Sequence, residues 1–337
     1  MNTTRVTVLM PVYNGEKHLF EAIESILNQT YKEFELLIIN DGSTDKSEDI
    51  IKKFKDSRIR YVVNDYNIGL IKTLNKGLGL INSEYIARMD ADDISLPTRL
   101  EKQIKFMDQN KDIAVSGTSI LVFNNKGKVR KEIVSKEPIK IRTQLLFYPA
   151  LMHPTVLIRK KIIEQGNFEY DEAHKSVEDF GLWQKMSVNY KLSNIPEILL
   201  KYRINESGIT QLAKKDIDKQ DLMHIEVYKQ TFNSLGMKLS EDDLMQYRLF
   251  LTGRAFADSN SILAISGFIK SLKKSIENQA FDLDTFNANI CRFYRLNSIK
   301  RGLNYSETND IYKEYFESIF KFTLKEKMKF VIKRYFH

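Results

Sequence analysis

Three continuous apolar runs within residues 1–93 each end in a polar cluster, and this pattern constrains the fold more than any other feature. Val6-Thr7-Val8-Leu9-Met10 stops at Pro11, Leu36-Leu37-Ile38-Ile39 leads into Asn40-Asp41-Gly42-Ser43-Thr44-Asp45, and Tyr85-Ile86-Ala87-Arg88-Met89 stops at Asp90-Ala91-Asp92-Asp93. β-branched and aliphatic runs of this length read as buried strands. Helical spacing fills the gaps between them. Asn14 is placed to cap a helix from Gly15 to Asn28, with Leu19, Ile23, Ile26 and Leu27 on one side. Ser43 or Thr44 would cap a second helix reaching Phe54; Ile59 to Val63 is a further strand, and Gly69 to Ile81 a further helix. Strand–helix–strand units with apolar strands imply a mostly parallel sheet covered by helices on both faces, a Rossmann-like α/β fold. Such sheets bind ligands outside the carboxyl ends of their strands. The three polar clusters, distant in sequence, are therefore expected on one rim.

Further along, a helix is predicted from Pro97 to Gln109. Strands are predicted over Ile113–Val115, Ser119–Phe123, Pro154–Ile158 and Leu199–Arg203, and a helix over Val177–Val188 that opens with Glu178 and Asp179. Beyond residue 212 strand signals fade and Gly and Pro become scarce. The expectation is an α/β domain over 1–212 and a helical C-terminal region over 213–337, serving in dimerisation or docking.

Composition bounds the function classes. With 42% hydrophobic and 28% charged residues the chain has the make-up of a soluble globular protein. No apolar run reaches the ~18 residues of a membrane-spanning helix. Met1-Asn2-Thr3-Thr4-Arg5 leads straight into a strand, so no signal peptide is expected. One cysteine, Cys291, excludes an internal disulfide framework and suits a reducing, cytoplasmic compartment. The five His are scattered and resemble no zinc site. Net charge is +8, yet no nucleic-acid-binding motif is present, so no nucleic-acid partner is expected. The segment Phe320–His337 holds six Lys/Arg and one Glu, with Leu324, Met328, Val331 and Tyr335 at helical spacing. It suits either an amphipathic helix lying on an anionic membrane surface or a packed terminal helix with a solvated basic face. The first reading places the protein peripherally on the inner face of the cell membrane.

Carboxylates at the end of a buried strand are costly to desolvate unless a cation meets them. Asp-x-Asp also occurs at Asp216-Ile217-Asp218 and Asp282-Leu283-Asp284, but no strand precedes either. At Asp90 and Asp92, Mg²⁺ or Mn²⁺ is the fitting partner, since these ions take one or two protein carboxylates and complete their shell with phosphate and water. Such an ion would neutralise a departing diphosphate. Asp41 is placed to accept a hydrogen bond from the N3–H of uracil or thymine while Tyr13 stacks on the base. Equally, Asp41 and Asp45 are good turn and cap residues. Asp179, at a helix start where the dipole favours the charged form, is placed to act as a general base or to be a simple helix-terminal acid.

In order and spacing, Thr7 to Asn14, Leu37 to Asp45, Tyr85 to Asp93 with Pro97 and Arg99, and Glu178-Asp179-Phe180-Gly181-Leu182-Trp183 resemble the family 2 glycosyltransferases with the GT-A fold. The resemblance covers about residues 5–205. It implies a nucleotide-sugar donor, a divalent metal (Mn²⁺ or Mg²⁺) and inversion at the anomeric carbon by one displacement. It places Pro11, Val12, Tyr13, Asn14 and Glu16 along the nucleotide, Asp41 on the base, and Asp90 near the ribose. Ala91, Gly69 and Lys72 complete the donor site. Asp92, with Asp90, would hold the metal, Asp179 would be the catalytic base, and Glu178 would support it. Asp93 reads as a structural acid of the following turn.

Two positions depart from the family pattern. Leu74 stands where many members carry Arg before the Asn that is here Asn75, with Lys72 the nearest substitute cation. Asn205 ends Tyr202-Arg203-Ile204-Asn205, where many carry His. His153, in His153-Pro154-Thr155, either lines the acceptor side or packs. The favoured function is an inverting, metal-dependent transferase, hexosyl- or N-acetylhexosaminyl-, moving a sugar from a UDP-sugar to a glycan or lipid-linked acceptor in capsule-type surface polysaccharide synthesis. The alternatives are a sugar nucleotidyltransferase, against which the lack of a Gly-rich basic loop after the first strand counts, and an inactive binding protein.

Overall fold

The computed structural model describes residues 4–301 apart from 125–126, 128, 206–207, 209–215 and 256–258; the basic segment Phe320–His337 lies outside the described residues. The chain divides into two units, Met1–Met223 and His224–His337. In the first, strands β1 (Val6–Val12), β2 (Phe34–Asn40), β3 (Ile59–Val63) and β4 (Tyr85–Arg88) alternate with helices α1 (Leu19–Leu27), α2 (Ser47–Lys53) and α3 (Leu70–Leu80). There follow β5 (Ile94–Ser95), α4 (Arg99–Gln109), β6 (Ile113–Phe123), β7 (Val129–Glu132), α5 (Pro138–Gln144), β8 (Leu157–Arg159), α6 (Lys160–Gln165), α7 (Glu178–Ser187) and β9 (Lys191–Arg203).

All the strands join one sheet in the order β3-β2-β1-β4-β8-β6-β9-β5, with β7 on the flank of β6. β3, β2, β1 and β4 are mutually parallel. Beyond them the sheet is mixed: β8 runs antiparallel to both β4 and β6, and β6 is parallel to β9.

Alternation along the strands assigns each face. Val8, Met10, Leu36, Ile38 and Ala87 share a core with Leu19, Ile23 and Ile26 of α1 and Leu100, Ile104 and Met107 of α4. Leu9 and Ile39 point the other way, against α3. A methyl group on Gly77 of α3 would lie 2.4 Å from Leu9 Cδ1. Gly77 thus lets α3 approach the sheet more closely than any side chain would allow.

Several local expectations meet a different outcome. Asn14 does not cap α1, which begins after His18; its side chain instead accepts from Thr44 N at 2.8 Å. Ser43 and Thr44 do not cap α2; Asp45 accepts from Ser47 N at 2.9 Å at that start. β1 runs through Pro11 to Val12. Leu9 O accepts from Met89 N, so Pro11, two residues on, faces the same way after the paired stretch with β4 has ended. Its missing N–H costs no ladder bond. The two strands expected within 113–123 are one continuous strand. His153–Thr155 is a 3₁₀ turn, and the strand there is only Leu157–Arg159.

The second unit is helical. Counting α8 (Ile217–Ser234), which straddles the boundary, its described elements are α9 (Glu241–Thr252), α10 (Ser259–Glu277) and α11 (Leu283–Arg301). An aromatic cluster forms its centre: the Tyr247 ring lies 5.3 Å from both Tyr228 and Phe232 and 5.1 Å from Phe268. Ser240 and Asp243 form a reciprocal capping box at the start of α9. Among the described residues, no helix is long and apolar enough to cross a membrane.

Candidate active site

The carboxyl ends of β2, β1 and β4 lie side by side, which brings the three polar clusters together. The first two are stitched by hydrogen bonds. Asn14 N donates to Ser43 Oγ at 3.0 Å, Gly15 N to Ser47 Oγ at 2.9 Å, Glu16 N to Asp45 Oδ2 at 2.9 Å, and Lys46 N to Glu16 Oε2 at 3.1 Å. Asn14 adopts φ +50°, a left-handed conformation that Asn tolerates well. The third cluster reaches the first through Ala91: a methyl group on Gly15 would meet the Ala91 Cβ at 3.7 Å. Val12 is buried below this junction, and Tyr13 stands half exposed above it.

Asp41 is buried, and its carboxylate accepts three hydrogen bonds. Asn64 Nδ2 donates at 2.8 Å, Ile68 N at 2.9 Å and Gly69 N at 2.9 Å. Asp41 thus ties the β3–α3 loop to the end of β2. Gly42, at φ +65°, passes so close to that loop that a Cβ would lie 2.5 Å from the Tyr66 backbone carbon. Lys72 pairs with Glu172 at 3.5 Å. Leu74 is buried, while Asn75 exchanges two hydrogen bonds with the Tyr170 backbone, at 2.8 and 2.9 Å.

Asp90, Asp92 and Asp93 converge, with one oxygen of each within 4.8 Å of the others. Arg203, at the end of β9, holds the turn: its N donates to Asp93 Oδ1 at 2.8 Å, its Nε to the Asp92 carbonyl at 2.8 Å, and its guanidinium pairs with Glu21 of α1. Asn205 Nδ2 donates to Asp92 Oδ2 at 3.1 Å, so Asn205 touches this cluster. Burial and the Asp90 charge push the Asp92 carboxyl up; burial and both neighbours push Asp93 well up. Asp93 Oδ2 is buried with no hydrogen-bond partner among the described residues. Three converging carboxylates, one with an unpaired buried oxygen, fit a hard divalent cation, which takes oxygen ligands. Asp93 therefore belongs to the cluster as well as to the turn.

Glu178 and Asp179 open α7. Burial pushes the Asp179 carboxyl up to about 6, against the opposing hydrogen bond from Phe180 N at 2.7 Å and the charge of Arg88. Burial and Asp179 push Glu178 up to about 7. The helix start was expected to keep Asp179 readily ionised; desolvation outweighs that dipole. The fields of Asp90 and Arg88 reach both acids, which links α7 electrostatically to the strand-end cluster. His153 is buried, its Nε2 2.9 Å from the Tyr170 hydroxyl, and burial followed by the Arg88 charge holds its pKa well below the ordinary value.

The model of the family described as Glycosyl transferase family 2 matches residues 7–166. The chain is 39% identical over 223 residues to the uncharacterized glycosyltransferase MJ1057 of Methanocaldococcus jannaschii, spanning 64% of this chain and 76% of that one. It is 35% identical over 215 residues to the O-antigen biosynthesis glycosyltransferase WbnJ of Escherichia coli, spanning 62% and 83%.

The chain is a family 2 glycosyltransferase.

Its fold matches residues 1–349 of S. aureus TarS, solved in complex with UDP-GlcNAc, with a TM-score of 0.60 and 20% identity over 89% of this chain and 93% of that one. The fold of this glycosyltransferase is accordingly GT-A, followed by a helical region. Two residues of the site escaped the sequence reading. Arg88 was legible in principle, as a charge inside an apolar strand. Arg203 was not, because its partners lie more than a hundred residues away.

Proposed function

We propose that this glycosyltransferase moves a sugar from a nucleotide-diphosphate sugar, a UDP-sugar first, onto a glycan or lipid-linked acceptor in surface polysaccharide synthesis, with inversion and with a divalent cation, Mn²⁺ or Mg²⁺. The observation that carries this reading is the convergence of the Asp90-Asp92-Asp93 carboxylates on the same rim as Asn14 and Asp41. Pro11, Val12, Tyr13, Asn14, Glu16, Asp41, Gly69 and Ala91 would surround the nucleotide, with Lys72 at the edge. Asp92, Asp90 and Asp93 would hold the cation, which when bound supplies charge neutralisation for the departing diphosphate. Asp179 takes the proton of the attacking hydroxyl at its Oδ2, since Oδ1 is engaged by Phe180 N. A pKa of about 6 suits a base working near neutrality. Glu178, beside it, would support the site or the acceptor.

Support for the acceptor class comes from WbnJ and from the amylovoran biosynthesis glycosyltransferase AmsE of Erwinia amylovora, 32% identical over 211 residues. The UDP-GlcNAc bound to TarS makes UDP-sugars the first donors to test. The basic segment Phe320–His337 would dock the enzyme on anionic lipid, with the helical region serving that docking or a homodimer. Truncation after Ser318 should then abolish sedimentation with phosphatidylglycerol vesicles, and unchanged sedimentation would exclude the segment. The decisive experiment is a screen of nucleotide sugars with Mn²⁺, scoring transfer and hydrolysis. At least one UDP-sugar should turn over, and Asp92→Ala should reduce that turnover at least about a hundredfold. Absence of turnover with every donor would reject the reading.

A further inference from the structure

A charged side chain inside a buried strand needs a reason, because an uncompensated buried guanidinium is strongly destabilising. Arg88 lies in β4, two residues before Asp90, and is 4% exposed. Among the described residues its ion-pair partner is Asp90, and its Nε has no hydrogen-bond partner. Burial opposes its charge, but the surrounding acids, Asp90 foremost, outweigh burial and raise its pKa. The backbone beneath it is fixed from two sides. Arg88 N donates to Val156 O at 2.9 Å, and the buried Arg99 donates through Nη2 to Arg88 O at 2.6 Å. A rigid backbone thus presents one buried cation to one carboxylate of the acidic cluster. That cation's field also extends to Glu178 and Asp179 on α7.

We propose that Arg88 is a positioning residue of the transfer reaction: it fixes the Asp90 carboxylate in the orientation that the nucleotide diphosphate and its cation meet. This rests on the donor reading above. Arg88 itself is too buried to touch the donor, so its influence passes through Asp90. The buried positive charge also offsets part of the mutual repulsion of Asp90, Asp92 and Asp93. Binding then spends less on ordering Asp90.

The test is a double-mutant cycle on the full chain, reading UDP affinity in Mn²⁺ by calorimetry, with thermal unfolding of each variant and KM and kcat for the donor. Arg88→Met should weaken UDP binding about ten- to a hundredfold. Asp90→Asn should do much the same, and the double variant should bind no more weakly than Asp90→Asn alone. Arg88→Lys, which keeps the charge, should recover most of the loss and should appear in donor KM more than in kcat. If Arg88→Met fails to fold, the cycle runs with Arg88→Lys, whose smaller loss should vanish in the Asp90→Asn background. A purely structural role would lower the unfolding temperature while leaving the two losses additive. Additive losses, or wild-type affinity in Arg88→Met, would overturn the proposal alone. Failure of the wild-type chain to bind UDP with Mn²⁺ would overturn the donor reading and this proposal with it.

Discussion

At the residue scale, identical sequence patterns separate by environment. Asp-x-Asp occurs three times, and two copies serve helix starts: Asp216 accepts from Lys219 N at 3.1 Å and Asp282 from Thr285 N at 2.7 Å. Of the three copies, the one at Asp90 and Asp92 joins a converging carboxylate cluster, where burial and the Asp90 charge push the Asp92 carboxyl up. Asp179 shows the same contrast. Acids at a helix N-terminus are ordinary, so its sequence position alone left its role open; in the fold Asp179 is half-buried, and desolvation pushes its carboxyl up to about 6. If Asp179 is the base, Asp179→Asn should lower kcat by about 10²–10⁴-fold. UDP binding should stay at wild-type strength, a separation that calorimetry alongside steady-state kinetics would show. The base must be unprotonated, so in the wild type kcat should rise as pH increases through about 6 and then level off. A profile without that limb would remove Asp179 from the role.

At the scale of elements, the parallel half of the sheet was legible, and of the remainder β6 was read as two strands, β8 was placed too early and only the end of β9 was found. β1, β2 and β4 announce themselves because both their faces are buried, which makes each an unbroken apolar run. β8 has three residues, too few to show a period. β9 runs for thirteen residues through Pro196 and Glu197, with register irregularities against β6, so its pattern is broken where it pairs. Loop-to-strand ties were equally hidden. Asp41 reads as a turn former or a base ligand, whereas its carboxylate binds the β3–α3 loop through Ile68 N and Gly69 N. Asp41→Asn replaces one acceptor oxygen by an amide donor facing these groups. We expect a loss of about 1–3 kcal/mol in unfolding free energy, measured in urea, with faster amide exchange confined to residues 64–70. Unchanged exchange there would show that the loop is held by other contacts.

At the scale of the whole molecule, net charge is a poor guide to the site. The chain carries +8, yet its rim gathers Asp90, Asp92, Asp93, Glu178 and Asp179 around the buried Arg88, with the buried Arg99 bonded to Arg88 and the buried Arg203 to Asp93. This concentration of acid should set how stability varies with pH. In the unfolded chain carboxyls titrate near about 4, whereas the folded protein holds Asp179 at about 6 and Glu178 at about 7, both raised first by burial. Groups whose folded values are raised contribute stability that is complete below the unfolded value and is lost as pH climbs through the folded one. Unfolding free energy should therefore decline between about pH 4 and pH 7, by on the order of 6 kcal/mol for this pair taken together. Glu178→Gln should flatten the decline, because a neutral amide has no charge to desolvate. A divalent cation that binds the folded state should offset the loss at the upper end of the range, increasingly as its concentration exceeds its dissociation constant. Urea titrations at several pH values, with and without Mn²⁺, would measure all three effects. A stability that rises steadily with pH in the absence of cation would contradict the buried-acid picture of this site.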